Sequence, residues 1–214
     1  MNDSISIAVE RGEAAPLLLM RIAFGLFIAA LAWAPFPLGS NRAWSANIIT
    51  VLVALCLCLW GMGTWNTFER TWAVLRPLQW PLVLGFLALV WACVQICVWV
   101  PNDWDNNIWT AASLVLHRHL VGTISINPWH TQADIIKLAT FVGVLILAFL
   151  IALRDEWASK MLDAVIAITA TYAAYALLLR LFGFAQYQIF YMTPLVTTGF
   201  LSGPFVLHNS YATF

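Results

Sequence analysis

Charged side chains are scarce in this sequence. Only 9% of its 214 residues are Asp, Glu, Lys or Arg, whereas roughly a quarter of the residues are charged in an ordinary soluble domain. The 10 basic and 10 acidic residues cancel to a formal net charge of zero. The composition therefore excludes a typical soluble fold and carries no electrostatic footprint of a nucleic-acid partner.

Several sequence patterns that carry chemistry are also missing. There is no glycine-rich nucleotide-binding loop, no recognisable Ser-His-Asp arrangement and no pair of carboxylates within an apolar block. Charges inside the apolar blocks are nearly absent, which argues against a proton-coupled pump or transporter. The catalytic residues of any enzyme built on this chain stay unknown from the sequence, and an active site would lie at a membrane interface or beyond the end of the chain.

Cysteine is sparse and confined to apolar surroundings. The four cysteines are Cys56, Cys58, Cys93 and Cys97, and none lies in a polar loop. We expect buried, chemically inert thiols without disulfides or metal ligation.

Apolar residues dominate what is present. They make up 62% of the chain and fall in long charge-free blocks, the pattern of helices that cross a hydrocarbon layer about 30 Å thick. The sequence predicts an all-α, polytopic transmembrane bundle of about five spans, at 16–36, 45–63, 81–100, 135–153 and 161–182. For the first span a cleaved signal peptide is the alternative, which Glu10 and Glu13 disfavour because they interrupt the basic leader.

The distribution of basic residues sets the predicted orientation. With the N-terminus in the cytoplasm, six Lys and Arg face inward and four face outward, a weak positive-inside bias. This orientation places a polar loop at 101–134 and a tail at 183–214 on the outer side. The two segments 1–182 and 183–214 are thus a helical membrane region and a periplasmic tail. The tail ends as an apolar stretch begins, which predicts a truncated sixth helix and a fragment of a longer protein.

The outer loop contains the pattern His117-Arg118-His119. Two histidines two residues apart would share a face on a strand but not on a helix, and the preceding apolar residues 111–116 favour a helix. We therefore expect an amphipathic helix lying on the membrane surface and no metal site.

Arginines at the outer surface are the candidate substrate-binding residues. The guanidinium groups of Arg42 and Arg118 can each bind a diphosphate through two parallel hydrogen bonds. Anchoring of ordinary lipid headgroups is the alternative interpretation for both. Lys137, at the start of the fourth span, has the same two interpretations.

Three segments resemble the O-antigen ligase and polymerase family. Residues 198–214 contain a glycine-bearing stretch, then Phe205-Val206, then the basic-Asn pair His208-Asn209, then Tyr211-Ala212. Residues 37–44 (PLGSNRAW) resemble the turn after that family's first helix. Residues 124–131 (ISINPWHT) resemble the stretch before its fourth.

The resemblance implies an inner-membrane glycosyltransferase of bacteria. Such an enzyme moves a glycan from an undecaprenyl diphosphate carrier to the lipid A core or to another carrier-linked glycan. Because its donor is already activated by the lipid diphosphate, the resemblance implies no metal or nucleotide cofactor. His208 and Asn209 would bind the diphosphate, or else cap the next helix.

The arginines and histidine that carry the transfer in this family would follow residue 214. The alternative function is a small non-catalytic membrane scaffold or subunit, packed through small residues on its helices (Gly85, Ala88, Ala167 and Ala170). Ligase and polymerase are not distinguished, nor is the oligomeric state.

Overall fold

The computed structural model describes residues 2–35, 43–65, 73 and 75–181. Regular structure in these segments is helical throughout, as the composition predicts. The six α-helices are α1 (Asn2–Trp33), α2 (Ala43–Thr64), α3 (Gln79–Ile96), α4 (Asn107–Leu116), α5 (Pro128–Ala152) and α6 (Asp155–Leu181), and short 3-10 turns lie at Arg76–Leu78 and Asn102–Trp104. The tail 183–214, and with it the predicted sixth helix, lies outside the described residues.

Four helices of the described chain are long and apolar enough to cross a membrane. They are Pro16–Trp33, Ala43–Thr64, Arg76–Ile96 and Pro128–Ala152. These match the first four predicted spans. The fifth predicted span, 161–182, falls on α6, which is helical but is not one of the four. The count of five and the cytoplasmic N-terminus therefore remain predictions.

The two helix boundaries at the connection between the third and fourth spans differ from the predicted ones for local reasons, and α1 and α6 begin before the predicted spans, at Asn2 and Asp155. The third span was expected to continue to residue 100, but α3 ends at Ile96, and Cys97 adopts an extended backbone. The fourth was expected to begin at 135, but α5 begins at Pro128, seven residues earlier. Proline suits the first position of a helix, and the Asn127 side chain accepts a hydrogen bond from the backbone N–H of His130 (3.1 Å), which caps the helix. The connection between these spans is therefore 97–127 rather than 101–134.

The last helix starts on a charged turn. Asp155 and Glu156 occupy the first turn of α6, where carboxylates interact favourably with the helix dipole. Lys160 Nζ lies 2.6 Å from Glu156 Oε1. The hydrogen bond from Lys160, with its positive charge, lowers the pKa of Glu156 below its ordinary value. Both side chains are exposed, so this pair adds little to stability.

The chain divides into two compact units, Met1–Trp65 with Ile146–Phe214, and Asn66–Leu145. In the first unit α1 packs against α2. The buried residues of α1 recur every three or four positions, as do Val53, Cys56 and Trp60 of α2, which places each set on one helix face. The buried side chains of this interface are Met20, Ala23, Phe27 and Ala30 from α1 and Val53, Cys56 and Trp60 from α2.

Gly63 allows α2 to approach α1 closely. A Cβ atom at this position would lie 3.0 Å from the backbone oxygen of Pro16 and 3.1 Å from Cγ of Met20. Gly61, two residues earlier on the same helix, faces open space, with no atom within 4 Å of such a Cβ. Small residues permit this approach of helix backbones, which van der Waals packing in a bilayer requires.

This pair of glycines provides a matched test. Gly63→Leu is expected to lower the free energy of unfolding by about 1 kcal/mol, because overpacking forces the α2 terminus away from α1. Gly61→Leu is expected to change it by less than about 0.5 kcal/mol, as for other open surface positions. The measurement is unfolding by sodium dodecyl sulfate in mild-detergent micelles, followed by circular dichroism. Equal effects of the two substitutions would contradict the close approach.

Trp157 joins α6 to this helix pair. Its ring centroid lies 5.5 Å from that of Phe24 on α1 and 5.7 Å from that of Trp60 on α2, the latter edge to face. Arg154 places its guanidinium carbon 4.7 Å from the Trp157 ring centroid and donates to Sδ of Met20 at 3.4 Å. Helices α1, α2 and α6 thus meet at one aromatic cluster, and the Arg154 guanidinium lies against the Trp157 ring of this cluster.

Polar contacts connect the helices at the carboxyl end of α1. The Trp33 indole N–H donates to the fully buried Ser45 hydroxyl at 3.0 Å, and the Trp33 ring packs against Trp44. Tyr172 of α6 donates its hydroxyl to the Ala32 carbonyl at 2.8 Å. Hydrogen bonds between helices fix their register where few other polar groups are present.

The second unit is packed more openly. A Cβ on Gly85 of α3 would lie 3.1 Å from a methyl carbon of Val142 on α5, so this glycine lets the two helices approach. Ala88 of α3 is exposed instead, and so are Ala167 and Ala170 of α6 in the first unit.

Across both units, the expected burial of the thiols holds only for Cys56, since Cys58 and Cys93 are exposed and Cys97 is half-buried. Cys56 donates its thiol to the Ala23 carbonyl at 3.4 Å, while the helix faces that carry Cys58 and Cys93 point outward.

Candidate functional site

The connection between α3 and α5 is an ordered structure, and it contains the one described candidate residue, Arg118. Its central element is α4, which begins at an asparagine cap. The Asn106 side chain accepts a hydrogen bond from the Ile108 N–H at 3.1 Å, and the Asn106 backbone is extended. The predicted helix over 111–116 is confirmed and begins four residues earlier, because Asn106 supplies the acceptor that the first turn needs.

The other end of α4 is closed by a left-handed residue. His117 has φ 51°, and its N–H bonds back to the Ser113 carbonyl. The Arg118 N–H also bonds to Ser113 O, at 3.2 Å, and the Leu120 N–H bonds to the Ser113 hydroxyl at 3.1 Å. A left-handed residue after the last turn reverses the chain direction and satisfies free helix carbonyls. The turn therefore directs the chain back along α4.

The returning segment is tied to α4 and to α3. The Trp109 indole N–H donates to the Ser125 carbonyl at 3.1 Å, and the Asn106 N–H donates to the Thr123 carbonyl at 3.0 Å. The Ser125 N–H donates to the Gln95 carbonyl at the end of α3, at 3.0 Å. Because these bonds come from three separate parts of the chain, they hold α4 in a defined position within its unit.

The segment 124–131, one of those that resemble the O-antigen ligase family, forms the entry to α5. The Ser125 and Thr131 hydroxyls lie 2.8 Å apart, and the Asn127 N–H donates to the Ser125 hydroxyl at 3.1 Å. Asn127 then caps the helix through His130 N–H. Serine and asparagine are suited to such local bonds with the backbone. In this chain the polar residues of the segment shape a turn.

Asp105 and Gly122 are in close contact, a feature that no pattern in the sequence predicts. A Cβ on Gly122 would lie 2.6 Å from Cγ of Asp105 and 3.0 Å from its Cβ. One carboxylate oxygen, Oδ1, is buried and has no hydrogen-bond partner among the described residues. Thr123, the residue after Gly122, is buried and donates its hydroxyl to the Ser125 carbonyl at 2.8 Å. A glycine that faces an acidic residue 17 positions away gives no signal in the sequence.

The tip of the connection is basic and open. His117, Arg118 and His119 are all exposed. The ion pairs of the described chain are Lys137 with Asp134 (3.1 Å) and Lys160 with Glu156, so Arg118 takes part in neither. Residues 106–133 contain Arg118 and three histidines but no Asp or Glu. The tip therefore presents a cation in a stretch that lacks carboxylates.

The other candidate residues predicted from the sequence belong to other parts of the chain. Arg42, His208 and Asn209 lie outside the described residues, so a common site of these three residues with Arg118 stays a prediction. Lys137 binds Asp134, one turn earlier on α5, on an exposed surface. Among the described residues there is no group of three His, Cys, Asp or Glu that could hold a metal ion.

Comparisons with known proteins return no relative. No family model matches the chain, and neither a curated protein nor a solved structure does so.

Proposed function

We propose that this chain is the membrane-embedded N-terminal part of an O-antigen ligase or polymerase type of glycosyltransferase. In this proposal it lies in the inner membrane of a bacterium, with five spans and its N-terminus in the cytoplasm, and the connection 97–127 faces the periplasm. The substrate is a glycan carried on undecaprenyl diphosphate. The acceptor is the lipid A core or another carrier-linked glycan.

One observation supports the proposal most strongly. Arg118 stands exposed on an ordered connection between two helices that can cross a membrane, and it takes part in neither of the ion pairs found among the described residues. A guanidinium held at this level can form paired hydrogen bonds to the phosphates of a membrane-embedded diphosphate. The three resembling segments, 37–44, 124–131 and 198–214, supply the choice of that substrate over other lipid phosphates.

In the same proposal Arg42, His208 and Asn209 join Arg118 in holding the diphosphate. Their role would be to bind and orient the carrier, while the groups that perform the transfer remain unassigned. Hydrogen bonds to a charged partner contribute about 1.5–3 kcal/mol each. Loss of one arginine should therefore weaken productive carrier binding by about tenfold or more.

Complementation in the native host tests the proposal. Deletion of the encoding gene is expected to remove the ligated or polymerised glycan and to cause the carrier-linked glycan to accumulate. The wild-type gene restores the glycan, and Arg118→Gln is expected to lower its amount by about tenfold. The measurement is gel analysis of the surface glycan together with mass spectrometry of the lipid-linked pool.

Arg76→Gln is the matched control. Arg76 is an exposed arginine at the other end of the same candidate span, Arg76–Ile96, and so at the opposite membrane surface. It is expected to complement fully. An unchanged lipid-linked pool after deletion would rule out the glycosyltransferase. Full complementation by Arg118→Gln would remove Arg118 from the substrate-binding residues.

A non-catalytic scaffold or subunit is the second candidate. It is favoured by α3, which has no buried residue and so leaves its surface available to lipid or to a further helix. Purification in mild detergent discriminates the two functions. A stable stoichiometric partner, with a normal lipid-linked pool in the deletion strain, would support the scaffold.

A further inference from the structure

The short helix α4 exposes apolar side chains that crossing a membrane does not explain. It has 10 residues, too few for a helix to span the hydrocarbon layer. Leu114 is 72% exposed and Val115 78%, and Leu116 next to them is also exposed. The opposite edge is occupied, because Trp109 and Ser113 bond to the returning segment. The apolar edge therefore needs another partner.

The exposed surface changes character along the helix. The exposed residues near its start are Asn107, Ile108, Thr110 and Ala111, whereas those near its end are Leu114, Val115 and Leu116. Asn107 and Leu114 are seven residues apart and so lie on the same face, two turns from each other. This surface is mixed at one end and wholly apolar at the other. Such a helix can enter an interface obliquely, with its carboxyl end deeper.

The residues around α4 indicate which partner covers its exposed apolar side chains. The connection joins two helices that can span a membrane, so it starts and ends near a bilayer surface. Trp99, Trp104 and Trp129 flank α4 and are exposed. Tryptophan is enriched at the headgroup level, where its ring meets apolar chains and its N–H meets water. Val121 and Ile126, on the returning segment, extend the exposed apolar surface.

The charge at the end of α4 fits an anionic partner. After the left-handed turn at His117, Arg118 follows directly on the apolar edge, and no Asp or Glu lies within residues 106–133. An arginine next to a buried apolar edge can extend its guanidinium to phosphate groups while its methylene chain stays in the apolar layer. A second copy of the chain would not need this combination of exposed tryptophans and a lone cation.

We propose that α4 and the following tip, residues 107–119, form a docking element that inserts Leu114 and Val115 into the bilayer interface and binds anionic phospholipid headgroups through Arg118. In the proposed function Arg118 would exchange these headgroups for the carrier diphosphate, and the docking itself does not require that carrier. It requires the rigid position of α4, which the bonds of Asn106, Trp109 and Ser125 provide. Amphipathic helices that lie in the interface bind through both apolar burial and attraction to anionic lipids.

Spin labels on the full chain in vesicles test this. Val115→Cys and Asn107→Cys are each introduced after the four native cysteines have been replaced with alanine. Relaxation by oxygen reports contact with lipid chains, and relaxation by a water-soluble nickel complex reports contact with water. In equal mixtures of phosphatidylcholine and phosphatidylglycerol, the label at 115 is expected to respond more to oxygen, and the label at 107 more to nickel.

A second comparison tests the contact between Arg118 and anionic lipid headgroups. In phosphatidylcholine alone, and in Arg118→Gln in the mixed vesicles, the label at 115 is expected to shift towards water. Circular dichroism of each variant confirms that it retains the helix content of the parent. A label at 115 that responds more to nickel overturns the insertion, and so does one that responds to neither reagent, because it is then covered by protein. Spin–spin broadening that vanishes on dilution with unlabelled chain overturns it in favour of a second copy. If the depth of the label at 115 is the same in phosphatidylcholine alone and in Arg118→Gln as in the parent in mixed vesicles, the headgroup contact is overturned.

Discussion

Trp157→Ala is expected to destabilise the first unit by about 3 kcal/mol, the cost of removing a large aromatic side chain from a packed core. Trp157 is 8% exposed and contacts α1 through Phe24 and α2 through Trp60. It also carries the Arg154 guanidinium on its ring. Alanine would leave a cavity between three helices and remove the cation–π contact as well. The measurement is the free energy of unfolding by sodium dodecyl sulfate in detergent micelles.

Two variants control this result. Trp157→Phe keeps an aromatic ring and is expected to lose less than half as much. Trp99→Ala removes the same number of atoms from a side chain that is 91% exposed, so its effect should stay within about 0.5 kcal/mol. Equal losses for Trp157→Ala and Trp99→Ala would show that the aromatic cluster does not hold α6 to the helix pair.

Gly122→Ala is expected to disrupt the connection that carries Arg118, at a cost of about 2 kcal/mol. The added methyl would meet the Asp105 side chain as far back as its Cβ, 3.0 Å away, so rotation of the carboxylate cannot relieve the clash. The returning segment would separate from α4, and the bonds of Thr123 and Ser125 would weaken. Hydrogen–deuterium exchange of a peptide that covers 120–127 should become faster, while α1 and α2 remain unchanged.

Asp105→Ala provides the matching rescue. Because the buried Oδ1 has no hydrogen-bond partner among the described residues, this change alone should be nearly neutral. The double variant Asp105→Ala, Gly122→Ala should recover much of the lost protection, since only the 3.0 Å contact with Cβ remains. Additive losses would mean that the alanine at 122 acts through something other than Asp105.

The helices themselves were readable from the sequence because the signals for them are local. A charge-free block long enough to cross the hydrocarbon layer needs no distant residue to be recognised, and four such blocks became candidate spans. The errors occurred at helix ends. Sequence hydropathy started the fourth span at 135, whereas Asn127 and Pro128 start the helix earlier with polar residues in its first turns. Hydropathy measures where a helix is apolar, and capping decides where it begins.

The candidate site was predictable only in part. The apolar run before His117 predicts a helix, and the structure has one at Asn107–Leu116; its place on a membrane surface stays a prediction. Its attachment was not expected, because the partners of Trp109 and Asn106 lie 16 and 17 residues along the chain and are backbone carbonyls. Every residue has a carbonyl group, so no residue type marks these acceptors in advance.

The tryptophans show most clearly what the sequence determines and what the tertiary structure decides. The 12 tryptophans and the shortage of charge predict, without any structure, helices that suit a bilayer and its interfaces. Trp65 and Trp80 are exposed, but Trp60 and Trp157 are buried against each other. Only the tertiary structure decided this, because the same indole ring suits either environment. Whether Trp60 is buried depends on which face of α6 packs against it, and the partner on that face, Trp157, is almost a hundred residues away in the sequence.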